Sequence, residues 1–211
     1  NKVVNQRNKL LKELSFKSSE EKLETLDIWD LQLVKYGTEV MKRRVGFVQE
    51  LNEIIGGLHE KLSGGTEKLT IEYQPCVEET TFLDTVTKMR ERDLRMKSTC
   101  FGPHKDDLIF FINGSEVKKY GSQGQQRTVA LSLKLAEIEL VKRVINDNPI
   151  LLLDDVMSEL DRSRQDALLE SIQGIQTILT CTGYDDFIKE RLAIDKVYKI
   201  VAGTIQEELD G

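Results

Sequence analysis

The spacing of hydrophobic residues in the first third of the chain predicts one long amphipathic helix. Apolar side chains recur at three- and four-residue steps over residues 26–62, apart from a break near Gly46. Ser19, which glutamates follow, is a typical helix start, and the Ser-Gly-Gly sequence at 63–65 is a typical end. A helix of roughly 40 residues is long for a compact domain. It either packs along its neighbours or projects as an antiparallel arm with residues 1–14 as its partner.

The pattern changes to shorter elements in the middle of the chain. Residues 69–73 alternate between apolar and polar side chains as a strand does, and Pro75 stops them. A charged helical pattern follows over residues 80–97. Residues 107–113 form a second predicted strand, and the Asn-Gly pair at its end predicts a tight hairpin whose return strand runs over 116–120.

The C-terminal half alternates helices and strands, which predicts an α/β sheet. Residues 123–145 carry apolar side chains on nearly every side of a helix, so we expect that helix to be buried. Residues 150–154 begin as a continuous apolar run, as expected of a strand in a parallel sheet that is covered on both faces. A helix over 162–173 follows, and further strands are predicted over 176–181 and 196–201.

Composition narrows the class of protein. The chain has 211 residues, of which 39% are hydrophobic and 31% charged, which is typical of one large or two small soluble domains. No apolar run approaches the ~18 residues of a membrane span, and the first residues lack a signal core, so we expect a cytoplasmic protein without membrane contact. The three cysteines have no CxxC spacing and are interpreted as reduced thiols. A start at Asn1 rather than Met indicates a cut inside a longer protein.

The net charge of −6 argues against a uniformly basic nucleic-acid coat but leaves room for a local basic patch. Basic residues on two predicted helices are candidates for contacts with the DNA backbone. The alternative is a solvated helix face on which they pair with neighbouring acids. The candidates are Lys42, Arg43, Arg44, Arg90, Arg92 and Arg95.

A glycine-containing turn opens the apolar helix that begins at residue 123. Ser122 and Gln125 have the spacing of a capping box, in which each side chain bonds to the backbone of the other residue. A well-capped buried helix needs this pair without any ligand. The alternative is phosphate binding, because Gly124 lets a ligand approach the backbone and a helix N-terminus attracts anions. The acids 32 residues further on favour phosphate binding.

Adjacent acids end the predicted apolar strand. Ligands bind at the carboxyl edge of open parallel sheets, so Asp154 is placed to hold Mg²⁺ against phosphate oxygens. Asp155 is placed to orient or deprotonate an attacking water. The alternative is an acidic strand end that turns to solvent. Asp161 follows as the predicted N-cap of the next helix.

Both histidines receive structural interpretations. His104, in a Gly-Pro-His-Lys turn, is expected to hydrogen-bond locally, and contact with nucleotide or DNA is its alternative. His59 lies in the long helix and is expected at the surface. Nothing near His104 has metal-ligand spacing.

Several short motifs along the chain together point to a known family. They are Gln6–Asn8, Trp29–Asp30, Gly102–Asp107, Ser122–Thr128, Leu133–Glu137, Leu151–Asp155 and Ser158–Asp161. With these motifs the chain resembles the bacterial RecF family. The resemblance covers essentially the whole chain and corresponds to the C-terminal part of a RecF protein. The Gly-Lys pair of a Walker A loop does not occur in this sequence, so we expect the lobe with that loop to be missing.

The resemblance implies a recombination mediator of the ABC and SMC ATPase class. Such proteins bind ATP and Mg²⁺, form a homodimer on ATP, bind DNA at single-strand gaps and, with RecO and RecR, help load a recombinase. Many ABC ATPases have Glu where Asp155 stands here. Many also have a switch His where Thr180-Cys181-Thr182 follows the next strand. Both departures predict slow hydrolysis.

The resemblance also implies roles by position. Ser122 and Gly124 touch the γ-phosphate held by the other protomer, and Gln125 supports their loop. Asp154 serves Mg²⁺, and Asp155 is the water-activating acid. The residue that bridges the dimer at the D-loop is Asp161.

We therefore predict the C-terminal part of an ABC-type ATPase head over residues 98–211, with a parallel-rich α/β sheet and flanking helices. An α-helical arm subdomain is predicted over residues 1–97. Without a Walker A loop we expect no ATP hydrolysis by the chain alone, because two isolated acids hold Mg²⁺ weakly.

Two other functions stay open. One is a protein-interaction module with inert ATP motifs; an inert head would be free to lose Ser122, Asp154 and Asp155, and all are present. The other is an SMC-like structural head whose arm continues as a coiled coil. It is disfavoured because the long helix ends at residues 63–65 and no sustained heptads follow.

Overall fold

The computed structural model describes residues 2–17, 19–181 and 195–210. The helices are α1 (Lys2–Phe16), α2 (Glu20–Leu62), α3 (Phe82–Lys88), α4 (Arg90–Met96), α5 (Val117–Tyr120), α6 (Gln123–Ile145) and α7 (Arg162–Ser171). The strands are β1 (Leu69–Gln74), β2 (Asp107–Ile112), β3 (Ser115–Glu116), β4 (Leu151–Asp154), β5 (Thr177–Thr180), β6 (Lys196–Val201) and β7 (Thr204–Asp210). Across these ranges, no helix has the length and apolar character that a membrane crossing requires.

Helix α2 has the length and the ends that the sequence predicts. The side chain of Ser19 accepts a hydrogen bond from the first turn, and the amide of Ser63 bonds to the last one. The helix continues for 43 residues through Gly46, so the break in the apolar pattern there does not interrupt it. One glycine inside a helix costs only about 1 kcal/mol, and burial of Met41 and Val48 on either side offsets it.

Helix α1 packs against α2, as the second of the two interpretations of the long helix requires. Their leucines form one buried cluster, made by Leu10, Leu11 and Leu14 of α1 with Leu26 of α2. The second half of α2 packs against the first sheet and α6 instead. The predicted domain boundary between residues 97 and 98 stays a prediction.

The first sheet is antiparallel, in the order β1-β2-β3, with Leu69 opposite Ile112. Its hairpin turns at Asn113 and Gly114, whose φ angles of 49° and 81° are those of a tight turn between strands. The prediction of a return strand over 116–120 is wrong. Only Ser115–Glu116 pair with β2, and residues 117–120 form a helical turn. The chain leaves the sheet because Val117 is buried in the core beneath it.

A second sheet holds the parallel pairing expected of this fold class. Strands β4 and β5 run parallel, with Asp154 opposite Thr180. Leu151 and Leu153 pack on the core, whereas Leu152 is 70% exposed. The described residues therefore cover one face of β4, and the expectation that both faces are covered is wrong for them.

The C-terminal strands form a separate antiparallel pair. Strand β6 has the bounds that the sequence predicts, and it pairs with β7, which the sequence analysis missed. The predicted helix over 162–173 is confirmed as α7, and the charged segment over 80–97 is divided into α3 and α4.

Helix α6 joins two hydrophobic cores. The first lies between α6, α2 and the antiparallel sheet, and the second lies between α6, α7 and the parallel pair. The burial predicted for α6 holds along most of its length, but Val144 and Ile145 in its last turn are exposed. Because both cores depend on it, α6 fixes the position of the turn that precedes it.

Candidate nucleotide-binding site

The turn before α6 forms the capping box that the sequence predicts. The amide of Gln125 donates to Ser122 Oγ at 3.2 Å, and the amide of Ser122 donates to Gln125 Oε1 at 2.9 Å. One turn further on, Thr128 Oγ1 donates to the Gly124 carbonyl at 2.8 Å. These bonds hold residues 122–125, the signature loop, while Ser122 remains exposed.

The N-terminus of α6 has the properties of an anion site. The amides of Gln123 and Gly124 lie ahead of the first intrahelical hydrogen bond, and the first turn contains no acid. A Cβ atom added at Gly124 would lie 3.8 Å from Ser122 Oγ and 3.9 Å from Arg164 Nη2. Both are ordinary contacts, so packing within the chain does not require glycine there. The open backbone suits a ligand that approaches closely.

The predicted acids lie together at the carboxyl end of β4, and both are exposed. Thr180, at the end of β5, connects them. Its hydroxyl donates to Asp154 Oδ1 at 2.6 Å, and the Asp155 amide donates to Thr180 Oγ1 at 3.0 Å. Asp155 has a left-handed φ of 50°, which Asp tolerates better than most residues, and the chain turns sharply there. The sequence analysis assigned no role to Thr180, although parallel pairing of the two strands places it beside the acids.

Asp161 caps α7 as predicted. Its Oδ1 accepts a hydrogen bond from the Arg164 amide at 3.0 Å, and its Oδ2 is bonded to the Arg164 guanidinium. The same guanidinium lies beside Gly124. Arg164, which the sequence analysis did not single out, therefore connects the predicted D-loop residue to the signature loop. Many ABC ATPases have a switch His where Thr180-Cys181-Thr182 stands in this chain. Thr182 lies outside the described residues.

His59 is completely buried, so the expectation that it lies at the surface is wrong. Its Nε2 lies 3.0 Å from Glu67 Oε2, and Glu67 Oε1 accepts a hydrogen bond from Gln125 Nε2 at 2.9 Å. Burial lowers the pKa of His59, and the hydrogen bond to Glu67 opposes that effect. Its spacing from Ile55 and Leu62, which are buried on the same helix face, could have indicated this position.

The candidate DNA-contacting residues divide into two groups. Arg44 donates to Asp106 at 3.0 Å and Arg90 donates to Asp30 at 2.6 Å, so each connects two separate parts of the chain. The others lie at the surface, and Arg92 also packs over a ring, that of Phe101. The exposed members are Lys42, Arg43, Arg92 and Arg95. DNA contact by this set stays a prediction.

A buried polar network explains three of the motifs on which the resemblance was based. Arg7 is fully buried, with Nε 2.6 Å from Asp30 and Nη1 2.7 Å from Asp93. Nη1 also donates to Thr99 Oγ1 at 2.9 Å, and His104 Nε2 donates to the Thr99 carbonyl at 2.9 Å. The bond of His104 is thus a local one, in agreement with the first of its two interpretations.

The fold is that of part of an ABC-type ATPase head joined to a helical arm, as the sequence predicts. A solved structure described as the recombination mediator protein RecF-ATP in the RecFOR pathway superimposes with a TM-score of 0.83 at 35% identity. The superposition covers 99% of this chain and 56% of that one. A second RecF structure, described as RecF-ATPrS, agrees equally well.

Sequence relatives point to the same proteins. No family model matches the chain. The DNA replication and repair protein RecF of Lachnospira eligens is 55% identical over 208 residues, and that of Lachnoclostridium phytofermentans is 56% identical over 207. The chain spans 57% of the length of each. The predicted resemblance is confirmed: this chain is a homologue of RecF over nearly its whole length.

Proposed function

We propose that this chain supplies the signature loop and the strand-end acids of an ATP-gated head that acts in DNA recombination and repair. The observation that carries the proposal is the capped, anion-attracting helix N-terminus at residues 122–125 in a homologue of RecF. The exposed acids at the end of β4 are the second half of the same constellation. The chain alone is not expected to hydrolyse ATP, since its sequence has no Walker A loop.

In this proposal the signature loop binds a nucleotide held by a second protomer. Ser122 and Gly124 contact the γ-phosphate, and Gln125 keeps their backbone in place through its bond to the Ser122 amide. Exposure of Ser122 supports the assignment, because a partner can reach it without rearrangement of the core. Asp161 lies near the loop through Arg164 and belongs to the same dimer surface.

The strand end fits a hard cation that is shared with phosphate. Among the described residues no cluster of three or more His, Cys, Asp or Glu side chains is placed to hold a metal ion. Mg²⁺ usually takes one or two carboxylates and completes its shell with water and phosphate oxygens, so Asp154 and the nucleotide together fit it. When bound, Mg²⁺ neutralises charge that develops on the phosphates. Asp155, whose backbone amide donates a hydrogen bond to Thr180 Oγ1, orients the attacking water.

The partners follow from the relatives. Structures of RecF are described as belonging to the RecFOR pathway, and we extend to this chain DNA with single-strand gaps, RecO and RecR as partners. The exposed basic residues of α2 and α4 are the proposed contacts with the DNA backbone. Loading of a recombinase at such gaps is the proposed outcome.

Substitution of Ser122 by Arg in the full-length protein tests the trans role of the signature loop. Its bulk would fill the space that the partner's nucleotide must enter, so ATP binding should survive while ATP-dependent dimerisation is lost. Light scattering with and without Mg-ATP measures the dimer. Ser115→Arg, at the exposed hairpin, is the matched control. An S122R protein that still dimerises with ATP would remove the trans role.

Substitution of Asp155 by Asn tests the water-activating role. The amide cannot accept a proton, so hydrolysis should fall and an ATP-bound dimer should persist. Phosphate release and dimer lifetime are the measurements, and Asp147→Asn, an exposed acid outside the site, is the control. Unchanged hydrolysis in D155N would assign the role to another group.

A further inference from the structure

A continuous hydrogen-bonded path runs from the interior of α2 to the signature loop. It begins at His59, which is fully buried although α2 belongs to the arm. His59 Nε2 lies 3.0 Å from Glu67 Oε2, and the other oxygen of Glu67 accepts from Gln125 Nε2 at 2.9 Å. Gln125 Oε1 in turn accepts from the Ser122 amide at 2.9 Å. Four residues therefore connect a helix of the arm to the backbone that would meet a nucleotide.

The chemistry of Glu67 gives this path a direction. An ionised carboxylate only accepts hydrogen bonds, so both the His59 Nε2–H and the Gln125 amide must donate to it. With its NH₂ group turned to Glu67, Gln125 presents its carbonyl oxygen to the Ser122 amide. Glu67 thus selects one of the two orientations of the Gln125 amide, and only this orientation completes the capping box.

A second branch reaches the same loop through α6. Ser132 Oγ lies 2.9 Å from His59 Nδ1 and 2.8 Å from the Thr128 carbonyl. The Thr128 hydroxyl donates to the Gly124 carbonyl. Because Ser132 has a single hydroxyl hydrogen, it donates to His59 when the ring is neutral and to Thr128 when Nδ1 carries a proton. Glu67 and Arg164 are the charged groups that act on the ring.

We infer that His59 and Glu67 are positioning residues, through which α2 holds the signature loop in the form that binds nucleotide in the ATP-dependent dimer. The inference rests on the proposed function of that loop. Neither residue touches the nucleotide. Both act through Gln125, so their loss should weaken dimerisation while ATP binding by each protomer is unaffected.

Exchange of hydrogen-bonding groups between positions 67 and 125 tests this inference in the full-length protein. In Glu67→Gln the new amide is uncharged, and it can turn either its oxygen or its NH₂ group towards Gln125, while a neutral His59 can accept as well as donate. The charge-assisted bonds are therefore lost, and position 67 no longer selects one orientation of the Gln125 amide. Because a hydrogen bond to a charged group is stronger than one to a neutral amide, we expect the dimer dissociation constant with Mg-ATP to rise about tenfold or more. The double variant E67Q/Q125E restores every donor–acceptor pair. In it His59 donates to the new amide at position 67, and that amide and the Ser122 backbone both donate to the new carboxylate at position 125.

Recovery in the double variant separates positioning from simple packing, since side-chain volume hardly changes in either variant. Glu60→Gln, an exposed acid one residue beyond His59, is the control and should dimerise normally. Urea unfolding of each variant shows whether the fold is retained. If E67Q weakens folding, recovery of dimerisation in the double variant still decides the question.

Two results would overturn the inference. One is an E67Q protein that dimerises like the wild type, and the other is a folded double variant that dimerises no better than E67Q. Both can be told apart from failure of the proposed function, because S122R measured in parallel reports on the loop itself. If S122R blocks the dimer and E67Q does not, only the positioning role is lost.

Discussion

Two groups of aspartates show how differently the molecule uses the same side chain. Asp30 and Asp93 are 3% and 2% exposed, and both bond to Arg7 in the arm. Asp154 and Asp155 lie exposed at the end of β4, where a threonine hydroxyl is the described hydrogen-bond partner of Asp154. The first group has its countercharge inside the chain. The second is exposed to solvent, where a cation and a phosphate from outside can reach it.

This difference in burial and pairing separates structural acids from functional ones. A buried carboxylate needs a paired cation because an unpaired charge in the interior is costly. An exposed carboxylate keeps its hydration, so it has no such requirement. We therefore expect the Arg7 network to determine stability with little direct effect on nucleotide chemistry, and the β4 acids to do the reverse.

The largest loss of stability is expected from Arg7→Ala, which removes a cation that bonds to both buried aspartates. It leaves Asp93 buried without its cation, while Asp30 keeps only its bond from Arg90, and such a loss typically costs about 3–5 kcal/mol. Urea unfolding measures the loss. Arg43→Ala removes an exposed pair with Glu39 in α2 and should stay within about 0.5 kcal/mol of the wild type. Equal losses in the two variants would contradict the assignment.

A smaller loss of stability is expected when a methyl group is added at a packed position of α2 than when a buried charge is removed. Two glycines of α2, one packed and one open, allow this comparison. A Cβ atom at Gly37 would lie 2.5 Å from Cε1 of Phe82, a fully buried ring. Gly37→Ala should therefore cost about 1–3 kcal/mol, despite the better helix propensity of alanine. At Gly46 an added Cβ meets no described atom within 4 Å, so Gly46→Ala should stabilise by about 0.5–1 kcal/mol. Thermal or urea unfolding would reveal the opposite signs, and two stabilised variants would show that the Phe82 ring can move.

The pH dependence of stability tests the burial of His59, a titratable group in the interior like Asp30 and Asp93. Its folded-state pKa lies below the ordinary value of 6.5 because the ring is buried. The unfolded chain therefore binds more protons below pH 6.5, and the free energy of unfolding falls as pH drops towards the folded pKa. The slope is at most about 1.4 kcal/mol per pH unit for one proton. Unfolding of the wild type and His59→Gln over pH 5–8 measures it, and identical slopes would contradict the assignment.

The smallest effect on stability is expected from Asp154→Asn. The new amide oxygen can still accept the Thr180 hydroxyl, so the free energy of unfolding should stay within about 0.5 kcal/mol. In the full-length protein the same change should impair Mg-ATP-dependent dimerisation, because a charged cation ligand is lost. A large loss of stability would show that Asp154 is structural, like Asp30.

The elements that could be predicted from sequence are those with strong local signals. Helix α6 has the predicted ends, and its capping box forms between residues three positions apart. The Asn113-Gly114 turn is confirmed for the same reason, since two residues suffice to set it. The return strand predicted over 116–120 is wrong because burial of Val117, a tertiary contact, outweighs the hairpin pattern.

The candidate site shows the same limit. The signature loop and the paired acids were found from motifs. The structure places the loop at the start of α6 and the acids at the end of β4, as the local sequence predicts. Glu67, Thr180 and Arg164 were not found, because each meets the site from a distant part of the chain. Glu67 reaches Gln125 across 58 positions and Thr180 reaches Asp154 across 26.

By itself the sequence determined most of the elements, the signature loop, the acids at the strand end and the resemblance to RecF. These depend on periodicity, caps and short motifs, in which the interacting groups are a few residues apart. Only the tertiary structure decided that His59 is interior, that Arg7 bonds to an acid 86 positions away, and that one face of β4 stays uncovered among the described residues. The physical reason is that burial and long-range ion pairs arise only when packed elements exclude water together, which no short stretch of sequence encodes.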